Sequence, residues 1–264
     1  MSADVGDHPK LDALAVGPHP DDVELACGGT VAKLTGAGRR VGIVHLTRGE
    51  AGTRGTVAER RAEAEAAAEV LGAATLDLLD CGDGSLRTGR AEEDALIAVL
   101  RRYRPEVVLG PPPVDRHPDH GRGHALTYAA CFYAGLAGRR LDPAVHGADA
   151  ELPPHRPAAF FHYMQHDSFE PAFVVDVSDV WETKTRALAC YGSQLQVPAE
   201  WSEGEARADD GPVTKVATRE FSLAMEGRSR HYGLLVGAAL GEPFGSRLPL
   251  AVQDPFDVLP GGVR

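Results

Sequence analysis

Residues 11–30, LDALAVGPHPDDVELACGGT, join an apolar run, a polar turn and the start of a helical pattern. The run at 11–17 is short and ends at Gly-Pro, which is typical of a buried strand. From residue 21 to 36, apolar side chains recur at helical spacing. The segment therefore predicts a strand, a turn and a helix, with His-Pro-Asp-Asp placed directly after the strand.

The same order of elements repeats toward the middle of the chain. Further strands are predicted at 41–46, 75–79 and 106–109, and further helices at 56–71, 91–103 and 120–136. Strands that alternate with helices favour a parallel sheet covered by helices on both faces. We predict an α/β fold in one domain that spans residues 1–264.

The second half of the chain has a weaker pattern. Strands are predicted at 159–164 and 172–177, and helices at 180–191 and 217–240. Residues 138–157 are rich in Gly, Pro and charge, which predicts a long surface loop that acts as a lid or partner contact. The acidic stretch 198–212 is a second candidate for the border of a pocket, and the tail from 241 has scattered prolines.

Composition excludes several classes of protein. The 38 acidic and 27 basic residues give a net charge of −11, which argues against a nucleic-acid or anionic-membrane partner. No apolar run approaches the ~20 residues of a membrane helix. The polar first ten residues do not resemble a signal peptide, and the four cysteines form no CxxC pair. A cytoplasmic location is the expectation.

Two His-Pro-Asp elements carry the candidate chemistry. His19 and Asp22 are three residues apart at a helix start, where an imidazole and a carboxylate can form half of a zinc site. Asp21 points elsewhere but can reach a water beside a cation. A capping aspartate is the structural alternative.

The second element, residues 115–120 (DRHPDH), follows the fourth predicted strand. Ligands collect beyond the carboxyl ends of parallel strands, so both elements should meet at one edge of the sheet. His117, His120 and His124 compete as third ligand, and spacing does not decide among them. The histidine that is not a ligand is the natural acid or oxyanion partner.

These motifs resemble the LmbE/PIG-L family of zinc-dependent N-deacetylases. The resemblance rests on residues 18–30 (PHPDDVELACGGT) and 117–120 (HPDH). Supporting stretches make the chain look most similar to the bacillithiol-biosynthesis deacetylases, which act on N-acetylglucosaminyl malate. They lie at 46–56, 163–179, 184–194 and 231–244.

The resemblance implies a Rossmann-like sheet and a site with assigned roles. His19, Asp22 and His120 would bind the metal. Asp21 would be the base, and His117 would stabilise charge or act as acid. Asp119 would orient one of the histidines from behind. Zn²⁺ is the expected cofactor, although Fe²⁺ or Co²⁺ also fit nitrogen and oxygen ligands.

Candidate substrate contacts rest on less specific signals, and only that of Arg60 comes from the family likeness. Arg60 stands where the family carries a substrate-binding arginine, although a salt bridge on a helix is the alternative. Asp83 is a second substrate-contact candidate, with a turn aspartate as the alternative. Tyr191 and Tyr232 both qualify as further oxyanion donors.

The expected partner is a small N-acetylated amino sugar, and we expect a homo-oligomer. A thiol-conjugate amidase and a deacetylase of another GlcNAc-containing metabolite are alternative functions. A nucleotide-binding Rossmann domain is disfavoured, because residues 17–20 (GPHP) are not a glycine fingerprint.

Overall fold

The computed structural model describes residues 8–198, 201 and 214–254, and strands alternate with helices through its first half. The strands are β1 Ala13–Gly17, β2 Val41–His45, β3 Thr75–Leu78, β4 Val107–Gly110, β5 Ala159–Tyr163, β6 Phe173–Asp176 and β7 Gly241–Ser246. The helices are α1 Asp22–Gly36, α2 Val57–Val70, α3 Arg90–Tyr103, α4 Pro118–Ala134, α5 Pro143–His146, α6 Trp181–Ala189 and α7 Arg219–Leu235.

The strands form one sheet in the order β3-β2-β1-β4-β5-β7-β6. Strands β1 to β5 pair in parallel, and β7 runs antiparallel between β5 and β6. The predicted α/β fold with a mostly parallel sheet is confirmed. Because β1 and β4 are neighbours, the turns that follow them lie side by side.

Side chains of β1 alternate between two hydrophobic cores. Ala13 and Ala15 pack with residues of α1, α2 and α6 on one face, whereas Leu14 and Val16 pack with α3 and α4 on the other. This alternation is the period of two that a strand buried on both faces requires. Within the described residues, no helix is both long and apolar enough to cross a bilayer.

The sequence pattern does not predict β7, because it gives only a tail with scattered prolines from residue 241. Its sequence, GEPFGS, contains residues that normally argue against a strand interior. Pro243 has no amide hydrogen to donate, but its carbonyl accepts from the Met164 amide and keeps part of the pairing. Gly245 leaves room for the His162 ring, which would overlap with a Cβ at that position.

Helix α1 breaks at Cys27, whose backbone (φ −139°, ψ 19°) is not helical. Glu242 of β7 caps the second half, since its carboxylate accepts from the Gly29 amide (2.9 Å) and from the amide and hydroxyl of Thr30 (2.6 Å each). Lys184 of α6 donates to Glu242 (2.5 Å) and to the carbonyl of Leu25 before the break (3.0 Å). We call these contacts the helix-break clamp.

The two adjacent glycines inside α1 differ in how closely they are packed. A Cβ on Gly29 would lie 2.9 Å from both Glu242 and Val177, whereas one on Gly28 would meet nothing closer than 3.6 Å. Gly29 is therefore the glycine that the approach of β7 requires.

Residues 138–157 lie at the surface, as predicted, but they are not one continuous loop, and a role as lid or partner contact stays a prediction. They contain α5 and a short 3-10 helix at Gly147–Glu151. Asp149 pairs with Arg102 near the end of α3, and the ring of His155 bonds to the carbonyl of Pro105, just before β4. These contacts hold the end of the segment near the amino ends of the strands, whereas Arg139 at its start pairs with Glu93 and Asp94 in the first turns of α3. The stretch 199–212, apart from Trp201, lies outside the described residues, as do residues 1–7 and 255–264.

Candidate active site

The two His-Pro-Asp elements meet at the carboxyl edge of the sheet. Residues 19–22 follow β1 and open α1, while residues 115–120 follow β4 and open α4. His117 is the N-cap residue of α4, and Pro118 occupies its first turn, where a missing amide hydrogen costs nothing. The topology thus delivers both elements to one place, as the sequence predicts.

The Asp22 carboxylate lies between two imidazoles. One oxygen is 3.0 Å from Nδ1 of His19, and the other is 3.4 Å from Nε2 of His120. Gln165, after β5, also donates to Asp22. All four side chains are buried or nearly so. Burial alone would raise the pKa of the Asp22 carboxyl, but the charge of His120 and its hydrogen bond help to hold that pKa well below its usual range.

Asp115 orients His120, a role that the sequence did not assign to it. Its carboxylate lies 2.6 Å from Nδ1 of His120 and accepts from the amides of His166 and Asp167. A proton on Nδ1 leaves the lone pair of Nε2 directed toward Asp22. Burial lowers the pKa of His120, but Asp22 and Asp115 raise it to about 9 in the absence of a bound cation.

Asp119 lies behind His19. Its carboxylate is 3.3 Å from Nε2 of His19 and accepts from the Leu86 amide at 3.0 Å. Its backbone amide donates to Nδ1 of His117 at 3.2 Å. If this nitrogen is an acceptor, a neutral His117 carries its proton on Nε2 and is a donor there. Burial lowers the pKa of His117, which favours the neutral form.

Asp83 enters the same cluster from the turn after β3. One oxygen is 3.1 Å from Nε2 of His19, and the other accepts from the Ala51 amide at 2.8 Å. Its position beside His19 places it at the site, whereas a contact with substrate stays a prediction. Burial alone would lower the pKa of His19, but its three carboxylate neighbours raise it well above the ordinary value.

Asp21 has a strained backbone and a buried carboxylate. Its φ of 110° is rare for a non-glycine residue, a feature that concentrates at functional sites, and its side chain does not cap α1. Burial raises the pKa of the Asp21 carboxyl to about 7, although the charge of Arg60 opposes that rise.

Arg60 is the cation beside Asp21. Its Nη2 lies 3.3 Å from the Asp21 carboxylate and donates to the carbonyl of Pro20, and only 4% of the residue is exposed. The structure thus directs Arg60 toward the turn that carries the candidate base. The predicted contact of Arg60 with substrate stays a prediction.

Two residues named by sequence lie elsewhere. His124 bonds through Nδ1 to the carbonyl of Pro111 and packs on Phe160 and His162, away from the cluster. The Tyr191 hydroxyl donates to Glu24 at 3.0 Å and is fully buried. The candidates for the third metal ligand are therefore His117 and His120, and no longer His124.

The donor set fits a divalent cation. His19, His117 and His120 each offer a ring nitrogen within 4.8 Å of the others, and His19, Asp83 and Asp119 form a second such group. Several carboxylates surround these imidazoles, and both nitrogens of His19 face carboxylate oxygens. A cation that binds nitrogen and oxygen together would replace the protons that balance this charge.

Fold and site together define an α/β protein with a histidine–aspartate cluster that could hold a cation at the carboxyl edge of its parallel strands. Residues 14–131 match the family model described as PIG-L: GlcNAc-PI de-N-acetylase. A diacetylchitobiose deacetylase of Thermococcus kodakarensis is 37% identical over 192 residues, 69% of each chain. The chain belongs to the PIG-L family.

Two further relatives show the range of the family. A 4-oxalmesaconate hydratase of Pseudomonas putida is 30% identical over 201 residues, which cover 70% of this chain and 75% of that protein. The crystal structure of a conserved protein from Thermus thermophilus superposes with a TM-score of 0.78 at 34% identity, covering 93% of this chain and 98% of that one. Family membership alone therefore does not fix the reaction.

Proposed function

We propose that the protein is a metal-dependent deacetylase that hydrolyses the N-acetyl group of an N-acetylglucosaminyl conjugate. The observation that carries the proposal is the convergence of His19, Asp22 and His120 beside the buried Asp21 carboxylate. The deacetylase named among the relatives supports the reaction type.

His19, Asp22 and His120 are the proposed ligands, and zinc is the proposed metal. Bound there, the cation would polarise the amide carbonyl and lower the pKa of a water molecule. Asp115 holds His120 with Nε2 free for this purpose, and Asp119 contacts His19 from behind. Such outer contacts fix ring orientation and raise the basicity of the ligand.

The remaining residues move protons and hold charge. Asp21 accepts a proton from water as the water oxygen attacks the acetyl carbon. His117 donates from Nε2 to the carbonyl oxygen as negative charge develops there. When the carbon–nitrogen bond breaks, the proton on Asp21 passes to the departing nitrogen. The products are acetate and a free amino sugar.

N-acetylglucosaminyl malate, the substrate of the bacillithiol deacetylases, is the substrate that we propose first. A thiol-conjugate amidase would use the same residues on a larger amide. The hydratase relative gives a rival reaction, the hydration of 4-oxalmesaconate. A homo-oligomeric, cytoplasmic enzyme and a single domain over residues 1–264 also remain predictions.

A substrate panel separates these reactions. The zinc-loaded protein is incubated with N-acetylglucosaminyl malate, N,N'-diacetylchitobiose, a sugar–cysteine amide and 4-oxalmesaconate. We expect acetate from the first two, fastest from the first. Turnover of 4-oxalmesaconate without acetate from any sugar would replace the deacetylase with a hydratase.

Paired variants test the ligands and the base. His120→Gln should lose bound metal, whereas His124→Gln, four residues later on the same helix, should keep it. Asp21→Asn should keep the metal and lose most turnover, about 10²-fold or more for a general base. Metal content and kcat are measured on the same samples. An Asp21→Asn enzyme with wild-type kcat would disprove the assignment of the base.

A further inference from the structure

Helix α7 lies close to the candidate active site through one ring contact. The ring of Phe221 lies 5.8 Å from that of His166, which stacks at 5.8 Å and 6° on His120. Arg228 follows Phe221 by seven residues, two helical turns, so both lie on one face of α7. That face also carries Tyr232, which is 7% exposed.

The Arg228 guanidinium has no partner among the described residues. No hydrogen bond or ion pair joins it to them, and Nε is buried without an acceptor. Burial lowers the pKa of Arg228, while the charges of Glu242 and Asp115 act in the opposite direction. Both carboxylates already have closer cations, Lys184 and His120.

A desolvated cation without a counter-ion is costly, so arginines inside proteins are normally paired. Arg60 illustrates the normal case, because it contacts Asp21 and the carbonyl of Pro20. Among the described residues no acceptor takes the Arg228 donors, although the side chain is partly buried and close enough to Asp115 for their charges to interact. A guanidinium presents its N–H groups in a planar fork, which matches the two oxygens of a carboxylate or phosphate.

We propose that Arg228 binds an anionic oxygen group, carboxylate or phosphate, on the part of the substrate outside the N-acetyl sugar. The residue would then determine specificity for acidic conjugates over neutral ones in a protein of net charge −11. The inference rests on the proposed deacetylase function and adds a subsite to it. Arg228 acts on binding and takes no part in bond breaking.

The kinetic test compares acidic and neutral substrates. N-acetylglucosaminyl malate and N-acetylglucosamine 1-phosphate are set against methyl N-acetylglucosaminide, in wild type, Arg228→Met and Arg228→Lys. Arg228→Met should lower kcat/KM for the preferred acidic substrate by about 30-fold or more, mainly through KM, as loss of one partner of a buried charge pair does. The neutral substrate should change less than about threefold, and Arg228→Lys should fall between.

Arg230→Met is the matched control, because Arg230 is exposed on the same helix and pairs with Glu226. It should leave every rate unchanged. Equal losses of Arg228→Met on acidic and neutral substrates would show a merely structural role and overturn the proposal. A wild type without preference for either acidic substrate would overturn it too. The acidic substrate that is lost tells whether carboxylate or phosphate is bound.

Direct binding separates this inference from the reaction. Malate and inorganic phosphate are titrated calorimetrically into the metal-loaded wild type and Arg228→Met. Tenfold or greater weakening of one anion supports the subsite even if no sugar is deacetylated, in which case only the proposed function fails. Equal affinities in both proteins would refute the subsite even in an active deacetylase.

Discussion

Replacing Lys184 with Met tests the helix-break clamp, because methionine keeps the length of the side chain and removes its charge. Lys184 is fully buried and has two close contacts, with Glu242 at 2.5 Å and with the Leu25 carbonyl at 3.0 Å. The variant leaves a buried carboxylate without its cation, which typically lowers the free energy of unfolding by about 3–5 kcal/mol. Glu242 retains donors on Gly29 and Thr30, so we expect the lower end of that range.

The double variant Lys184→Met/Glu242→Gln removes both charges. It should recover part of the loss, because the amide oxygen still accepts from the cap of α1 while no charge is buried. The double-mutant cycle then gives a coupling free energy of about 1–3 kcal/mol. Urea denaturation followed by far-ultraviolet circular dichroism measures all four proteins.

Lys33→Met is the matched control. Lys33 pairs with Asp179 at 2.8 Å, but the two side chains are 38% and 66% exposed. An exposed pair contributes about 0–1 kcal/mol. A Lys184→Met loss as small as that of the control, or a cycle without coupling, would refute the view that the buried pair holds the break in α1.

Three further perturbations have defined outcomes. Gly29→Ala should destabilise the fold by about 1–3 kcal/mol through overpacking, while Gly28→Ala, with room for its Cβ, should be neutral or stabilising. Thermal melts measure both, and equal effects would contradict the packing argument. Asp115→Asn should weaken metal binding about 10–100-fold in chelator competition, and unchanged affinity would remove its role on His120. Burial lowers the pKa of His162 from 6.5 to about 4, so the unfolded chain binds more protons between those values and stability falls as pH drops through that window. His162→Phe should flatten that part of the stability–pH curve, and an unchanged slope would show that other groups cause it.

The first half of the fold could be predicted because its signals are local. Periodic apolar residues and a glycine after a helix mark elements such as α2, where Thr56 and Glu59 form the capping box that starts the helix. Strand β7 could not be predicted in this way. Pro243 keeps a hydrogen bond from Met164 and Gly245 leaves room for His162, and no local sequence pattern contains those partners.

The candidate site likewise has features that the sequence predicts and features that it does not. The meeting of His19 with His120 follows from the topology, since two polar turns after adjacent parallel strands must be close. The bond from Asp115 to His120 and the pairing of Arg60 with Asp21 depend on side-chain directions that spacing does not fix. No sequence motif marks Arg228. Only the fold distinguishes it, because its Nε is buried without an acceptor among the described residues.

The helix-break clamp can form only late in synthesis of the chain. Glu242 contacts Gly29 across 213 positions of chain. Synthesis proceeds from the N-terminus. His19, Asp22 and His120 therefore leave the ribosome long before Glu242, which caps the second half of α1. A nascent chain would thus contain all its proposed metal ligands before β7 can pack on α1. We therefore expect the metal to bind late in folding.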